Sequence, residues 1–454
     1  MKGTGKYYLQ AFPLLLATAM TVLVGSVINV ALPTLAEKFS ASPSSTIWVV
    51  NSYQLIIIMS LLPLGAFAEI KGYKKIFVSG LILFSAASVL CALASSMETL
   101  ILFRLMQGFG AACIMSVNAA IIRQIYPAEM LGRGIGLSAM VVAVSAVSGP
   151  SIAGAVLSVA SWHWLFLLTV PFGLLSLAFA GRLIPSFAPE HGEAKFNAVD
   201  CAANAVVFGL LIYTLEGVAD GKNYTRLAAQ GAIVIATGVF YIRRQLTAVH
   251  PILPVDLLKI PLFTLSICTS VCSFIGQMLA MVSLPFFYQS VLHFSAAEVG
   301  LLLTPWPFAI LCVAPIAGRL ADKKNPGLLG GLGLLIFSIG LFSLCLLPAE
   351  PSTFDILWRM AAAGLGFGLF QTPNNVAIIS SAPRDRSGGA SSMQSTARLL
   401  GQTVGATLVA IVFRVGGGPA AVWICLAAAG CIALAGAFLS FARIGVRKQL
   451  GSGD

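Results

Sequence analysis

The sequence predicts an all-α polytopic membrane protein, because apolar runs of about 20 residues recur along almost the whole chain with only short polar gaps between them. Composition points the same way. Hydrophobic residues make up 58% of the 454 positions and charged residues 9%, with a mean hydropathy of +0.93. A soluble domain is about 45–50% apolar and about 25% charged, so a soluble enzyme or a string of soluble domains is excluded. The recurrence of the runs excludes a lone anchor. The net charge of +11 comes from Lys and Arg scattered through short loops, with no basic cluster on a soluble face, which argues against nucleic acid as a partner.

In chain order, Lys2 and Lys6 precede an apolar run from about Phe12 to Leu32. That run is too long for a signal-peptide core and lacks a small-residue cleavage site, so it reads as an uncleaved first span. Spans are expected near 11–32, 46–68, 75–94, 97–122, 134–157, 162–184, 199–218, 226–245, 262–287, 298–321, 328–348, 355–379, 389–413 and 419–441, fourteen in all. The positive-inside rule tests this count independently, since a wrong number of spans would scramble the alternation of basic loops. One side collects Lys2, Lys6, Lys71, Lys74, Lys75, Arg123, Arg133, Arg182, Lys195, Arg243, Arg244, Lys259, Arg319, Lys323, Lys324, Arg384, Arg386, Arg443, Arg447 and Lys448. The other side holds only Lys38, Lys222, Arg226 and Arg414, and Arg104, Arg359 and Arg398 stay within spans. Both termini are therefore expected in the cytoplasm.

The chain also repeats itself. Val30-Ala31-Leu32-Pro33 is echoed by Val282-Ser283-Leu284-Pro285, Gly65-Ala66-Phe67-Ala68-Glu69 by Gly318-Arg319-Leu320-Ala321-Asp322, and Arg104 with Gly108 and Gly110 by Arg359 with Gly364 and Gly366. The offsets stay within about 252 to 256 residues and in one order, the mark of two related halves. The expected architecture is two six-helix bundles, residues 1–184 and 262–454, joined by residues 185–261, which carry cytoplasmic linkers and two inserted transmembrane helices. The nine cysteines fall in apolar runs without zinc-site or disulfide-framework spacing and read as small buried hydrophobes, among them Cys113, Cys268, Cys272 and Cys431.

These segments resemble the major facilitator superfamily, and within it the fourteen-span branch of drug:proton antiporters. The loop Gly65-Ala66-Phe67-Ala68-Glu69-Ile70-Lys71-Gly72-Tyr73-Lys74-Lys75 is similar to the family's loop between spans 2 and 3, with Glu69 where Asp is usual. Leu102 to Ala112, around Arg104 and Gln107, resembles the span-4 motif, and Ser145 to Gly154 the span-5 antiporter motif with Ser and Ala replacing two glycines. Trp162-His163-Trp164-Leu165-Phe166, Pro171-Phe172-Gly173 and Gly401-Gln402-Thr403-Val404-Gly405-Ala406 match segments typical of the branch. The likeness covers about residues 10 to 445. It implies the family's two-bundle fold and transport, and says much less about substrate. One departure stands out: Val24 occupies the span-1 position where family members usually carry a membrane-embedded Asp. Both proton coupling and a preference for cationic drugs are weakened by that change.

The 65–75 loop has the makings of a gate, since a carboxylate at a membrane interface can meet a helix N-terminus or an Arg while glycines permit close approach. Gly65, Glu69, Gly72 and Lys74 are the gating candidates there; a merely solvated basic loop is the alternative. In span 5, Gly149 and Pro150, with Gly154, permit a bend and close packing, either as a seal favouring exchange over leak or as ordinary helix packing. Arg104 sits inside span 4, where an ionisable group is expensive unless it faces a cavity or a partner, and the resemblance implies a place near the proton path; pairing with backbone carbonyls is the alternative. Arg398 either faces a pocket or snorkels to water, and Arg359, near a span end, reads as a snorkelling residue. Buried amides and phenols need partners in hydrocarbon, so Asn29, Tyr53, Gln54, Gln107, Asn118, Gln277, Tyr288, Gln289, Gln371, Asn374 and Asn375 either bridge helices or meet substrate. Phe274, Met278, Phe286 and Trp306 offer a plastic apolar surface, or face lipid.

Proton coupling ordinarily uses a desolvated carboxylate. None of the 16 acids lies deep in the twelve bundle spans, and Glu216, in the first inserted span, is the best intramembrane candidate; a terminal interface position outside the translocation path is the alternative. No His and carboxylate cluster suggests a metal, no phosphate-binding Gly-Lys-Ser/Thr loop suggests an ATP-driven pump, and no converging acid, base or metal groups suggest an enzyme, so no cofactor is expected. The sequence therefore reads as a secondary transporter in a bacterial inner membrane, monomeric, with an amphipathic small molecule, protons and the bilayer as partners. The leading expectation is proton-coupled multidrug efflux by alternating access. The alternative is an exporter or facilitator of a specific, anionic or neutral, metabolite with weak or unusual proton coupling.

Overall fold

A computed structural model describes residues 4–40, 43–185, 197–219, 224–248, 251–290, 292–294, 296–348, 351–416 and 418–451. Within them the chain is helical: α1 (Thr4–Lys38), α2 (Pro43–Lys71), α3 (Tyr73–Ala92), α4 (Met97–Ile125), α5 (Leu131–Val159), α6 (His163–Leu167), α7 (Thr169–Leu183), α8 (Ala198–Ala219), α9 (Tyr224–Thr247), α10 (Pro261–Ser290), α11 (Ala296–Leu303), α12 (Pro305–Ala321), α13 (Pro326–Cys345), α14 (Thr353–Ser381), α15 (Ser387–Gly416) and α16 (Gly418–Gly451). Helix is the form that satisfies every backbone polar group without water, which is why irregular backbone is confined to short connections.

Local sequence sets the boundaries. Ser96 and Thr99 cap α4 reciprocally. Asn325 accepts from the Gly327 N–H ahead of a first-turn proline in α13. Gly72 takes φ 94°, the left-handed conformation that lets α2 turn directly into α3. The expected span 162–184 is interrupted at Leu168 and the span 298–321 at Thr304, where Pro305 restarts the helix.

Eleven helical stretches among the described residues are long and apolar enough to cross a membrane. Three expected spans fall short of that standard. Only Val199–Thr214 of α8 is a continuous apolar stretch, α9 ends in Arg243 and Arg244, and α14 carries Asp355, Arg359 and a polar patch at Gln371–Asn375.

The helices run back and forth. Ring contact of Tyr7 with Tyr126, 5.8 Å between centroids, sets the start of α1 beside the end of α4, and Arg443 near the end of α16 reaches Ser266 near the start of α10. The face where α1 begins and α16 ends is the terminal face. α1 packs on α5 and α7 and α2 on α4, while α13 packs on α14 and α16 and α10 on α15 and α16. The two groups meet along α5 against α12 and along α2 and α4 against α15. The inserted helices α8 and α9 pack together, and α8 touches both α2 and α15. Most buried apolar side chains fall into two clusters, one centred on α1–α4 and one on α10–α16. The cysteines divide: Cys91, Cys113 and Cys425 are buried as expected, whereas Cys268, Cys312 and Cys431 are exposed on the outer surface of an apolar protein, where a thiol sits comfortably against lipid.

Candidate functional site

The two halves are joined at the terminal face by two matching seams. In the first, Gly65 of α2 lies so close to α15 that a Cβ there would stand 2.9 Å from the Gly388 carbonyl and 2.0 Å from Ser392 Oγ. One turn on, Glu69 is buried, and its carboxylate accepts from the Gly389 N–H at 2.7 Å and from the Arg386 guanidinium at 2.7 Å. Arg386 is also held by both oxygens of Asp256, at 2.7 and 3.0 Å, and by the Pro251 carbonyl at 3.1 Å. A guanidinium fork shared by two carboxylates and a carbonyl, next to the first turn of α15, has its charge and donors satisfied, the condition under which a buried ion pair holds.

The second seam is the first one repeated. Gly132 of α5 and Gly318 of α12 are in backbone contact, and Asp322 accepts from the Gly132 N–H at 2.8 Å with Arg133 3.5 Å away. Each seam therefore sets a carboxylate, in the last turn of α2 or just after α12, against the first-turn amide of the partner helix in the other half. The sequence echo of Gly65 to Glu69 in Gly318 to Asp322 is the origin of this symmetry. Burial pushes the Asp322 carboxyl above its ordinary value, opposed by the Gly132 N–H and the Arg133 charge. Arg123 adds a third tie, donating to the Pro383 carbonyl and Ser387 Oγ at 3.3 and 3.0 Å.

Behind the seams lies a cavity with two lobes. The lobe of about 240 Å³ is lined by Thr18, Thr21, Tyr53, Gln54, Asn118, Ser138, Gln371, Asn375, Gln394 and Arg398 among others. The lobe of about 730 Å³ is more apolar, walled by Phe274, Met281, Trp306 and Phe367, and runs along α5, α10 and α11 to Gly300 and Leu301, away from the terminal face. Val22, Ala139, Val142, Gln371, Arg398 and Gln402 line both. Among the described residues Arg398 is the one charged residue in either lining, and none of them is a carboxylate. A cavity of this size, mostly apolar with a few convergent polar groups, accommodates a drug-sized molecule.

The sequence matches the family described as Major Facilitator Superfamily over residues 14–406, and again over 267–451. The chain belongs to the major facilitator superfamily. It is 53% identical over 401 residues, 88% of each chain, to the uncharacterised transporter YebQ of Escherichia coli K12. It is 27% identical to the riboflavin transporter RibZ of Clostridioides difficile, over 85% of this chain and 84% of that one. It is 26% identical to the multidrug export protein EmrB of Haemophilus influenzae, over 89% and 80%. Among solved structures, the human organic anion transporter MFSD10 superposes with a TM-score of 0.69 at 13% identity, over 96% of this chain and 98% of that one, a likeness of fold. This member of the major facilitator superfamily is thus a membrane transporter and not an enzyme.

Within this superfamily fold, Tyr53, Gln277, Gln371, Asn375 and Arg398 reach the cavity as the sequence suggests. Arg104 and Gln107 do not. Arg104 is fully buried behind Tyr53, its guanidinium carbon 4.2 Å from the ring centroid, and donates to the Val49 carbonyl at 2.8 Å and to Gln107 at 2.5 Å, while Gln107 donates to Ser88 at 2.7 Å. The face of α4 that carries both is turned to α2 and α3, so their role is to tie three helices together. Asn374 is turned likewise into a buried cluster with Ser266 and Arg443, and Arg443, expected in a cytoplasmic tail, is fully buried there and also bonds Ser440. Tyr288 is buried in the packing of the second half and lines neither lobe.

Lys74 is not at either seam: it donates to the Gly181 and Ile184 carbonyls at 3.0 and 2.7 Å, capping the end of α7 within its own half. Gly149 packs against Ser26 of α1, where a Cβ would lie 2.0 Å from the hydroxyl, whereas Gly154 has nothing among the described residues within 4 Å of such a Cβ. Arg359 bonds the Ser343 carbonyl at the end of α13 rather than extending into solvent. The side chains of Asn29, Pro150, Glu216 and Gln289 lie outside the described residues. Sequence reasoning missed Arg386, Asp256 and Gly132 as seam residues. The Glu69–Arg386 pair joins positions 317 apart, a separation that no local pattern encodes. The repeat did hold a signal for Gly132, through Asp322 as the counterpart of Glu69.

Glu69→Gln is expected to weaken the seal by about 2 kcal/mol, the worth of a charge-assisted hydrogen bond. In a cysteine-free background with Ser391→Cys as reporter, that is roughly a 30-fold rise in labelling by a membrane-impermeant thiol reagent added at the terminal face. Asp322→Asn keeps an oxygen for the Gly132 N–H, so labelling is expected to stay within about threefold of the parent. Equal effects of the two substitutions would show that the charge on Glu69 does not hold the seam.

Proposed function

We propose that this transporter exports amphipathic small molecules across a bacterial inner membrane by alternating access, in exchange for protons. The observation that carries this reading is the pairing of a seal at one face with a cavity between the two halves that extends away from that face toward Gly300 and Leu301. Residues 1–184 and 262–454 act as rocking bundles, residues 185–261 contribute the inserted pair, and the chain crosses the membrane fourteen times as a monomer. The excess of Lys and Arg on the terminal face supports a cytoplasmic location for both termini, so the conformation is sealed to the cytoplasm. In this reading Gly65, Glu69 and Gly72 gate that face, with Gly149 and Pro150 packing α5 for the movement. Tyr53, Gln277, Gln371, Asn375 and Arg398 meet substrate, and Glu216 exchanges the proton. The multidrug export protein EmrB supports efflux of varied compounds. The riboflavin transporter RibZ supports a second reading, transport of one defined metabolite, and a cavity lining without a carboxylate among the described residues fits that reading.

The test is transport in proteoliposomes under an imposed pH gradient, following internal pH as lipophilic cations, neutral drugs and organic anions are added in turn. Substrate-triggered proton movement that Glu216→Gln abolishes is the expected result. Substrate flux with no proton movement would overturn the exchange and leave the metabolite reading; no flux of any compound would overturn export itself.

A further inference from the structure

Arg398 stands about 16 Å along α15 from its first residue, near the middle of a 30-residue helix. It lines both lobes of the cavity, yet it makes no hydrogen bond and no ion pair among the described residues. The other deep arginines are handled differently. Arg104 is held by the Val49 carbonyl and Gln107 through Nε and one terminal nitrogen, and Arg443 by Asn374, Ser266 and Ser440. A guanidinium in an apolar wall at mid-membrane is costly without a counter-charge, and residues of this kind mark substrate pathways. Among the described residues the wall around it supplies neutral amides, hydroxyls and aromatic rings, and no acid. Trp306, in the larger lobe, has an indole N–H without an acceptor among the described residues. Donors and one positive charge thus face a space with apolar walls.

We propose that the transported substrate is an amphipathic organic monoanion whose carboxylate, sulfonate or phenolate pairs with Arg398 while its apolar body lies against Phe274, Met281, Trp306 and Phe367. This rests on the export reading and deepens it. A planar fork of N–H donors matches a carboxylate or sulfonate in two-point contact. A cationic compound would meet an uncompensated like charge in a water-poor space, and a neutral one would leave Arg398 unpaired. Outward movement of a monoanion also carries negative charge out of a cell whose interior is negative, so the membrane potential itself favours export.

The experiment uses three probes of one shape: 2-naphthoate, 2-naphthamide and 2-naphthylmethylammonium. Their binding to the full chain in nanodiscs is measured by equilibrium dialysis, and their efflux from proteoliposomes is followed by naphthalene fluorescence with the potential set by a potassium gradient and valinomycin. The expected result is that 2-naphthoate binds at least about tenfold tighter than the amide and that the ammonium binds weakest. An outward-directed pull on anions should speed naphthoate efflux and leave naphthamide unchanged. Arg398→Gln should erase the naphthoate preference at unchanged thermal stability, and Arg398→Lys should restore most of it. Tighter binding of the ammonium, or a naphthoate preference that survives in Arg398→Gln, overturns the charge assignment while leaving export intact. Failure of all three probes to bind or move overturns both.

Discussion

Gly65→Val is expected to abolish closure of the terminal face. The first added carbon would stand 2.9 Å from the Gly388 carbonyl and 2.9 Å from Ser392 Cβ, besides 2.0 Å from the Ser392 hydroxyl. The hydroxyl can rotate away, but the carbonyl belongs to the first turn of α15 and moves only with the helix. Overpacking of a tight contact typically costs about 1–3 kcal/mol, and here the two branches of valine meet the partner as well. Because the resting balance between sealed and open states in such carriers is a matter of a few kcal/mol, the substitution should turn a sealed protein into one held open to that face. The measurement is impermeant-thiol labelling of Ser391→Cys, expected to rise at least about tenfold, with transport below about a tenth of the parent. Gly65→Val combined with Ser392→Gly removes two of the three contacts and should recover part of the closure, a coupling that independent sites would not show. Gly231→Ala, where nothing lies within 4 Å of an added Cβ, is the control. Unchanged labelling in Gly65→Val would mean that α2 and α15 do not close on each other in the membrane.

The second large effect separates the two intramembrane arginines that the sequence places on an equal footing. Arg104→Ala should produce a fall of about 3–5 kcal/mol in stability. It removes the guanidinium donor from the Val49 carbonyl, leaves the Gln107 amide oxygen only the weak Cys91 thiol contact at 4.0 Å, and opens a hole behind Tyr53. Arg398→Ala should leave the unfolding temperature within about 1 °C of the parent, since no protein group loses a partner, and should abolish binding and transport of the anionic probe. Thermal unfolding beside probe binding, for both variants, gives the comparison. The reverse pattern, a destabilised Arg398→Ala and a stable, inactive Arg104→Ala, would exchange their roles.

How much of this was legible beforehand depended on the kind of signal. Helical segments follow from apolar runs with caps such as Ser96 and Asn325, signals that are local and strong. The echo of Gly65–Glu69 in Gly318–Asp322 is readable as a repeat, and the pair of seams follows from it because related halves reuse one contact twice. What could not be read was rotation. Arg104, Gln107, Asn374 and Tyr288 are polar residues in apolar helices just as Gln371 and Arg398 are, and composition alone does not say which side of a helix faces its neighbours and which faces the cavity. That choice is set by close approaches such as Gly108 against Tyr53 and Gly110 against Phe84, contacts between distant segments. The same limit hid Arg386: in sequence it is one more loop cation, and only the fold brings Glu69 and Asp256 to it.

The most direct test of alternating access is a pair of distance measurements by pulsed electron spin resonance in nanodiscs. Spin labels at Ala128 and Lys323, both exposed at the terminal face on opposite halves, report on the seams, and labels at Leu93 and Leu346, both exposed at the other end, report on the cavity mouth. Substrate addition under turnover conditions should lengthen the Ala128 to Lys323 distance in the same molecules that shorten the Leu93 to Leu346 distance. Distances that stay fixed, or that lengthen together at both faces, would contradict a carrier whose two halves rock about a central cavity.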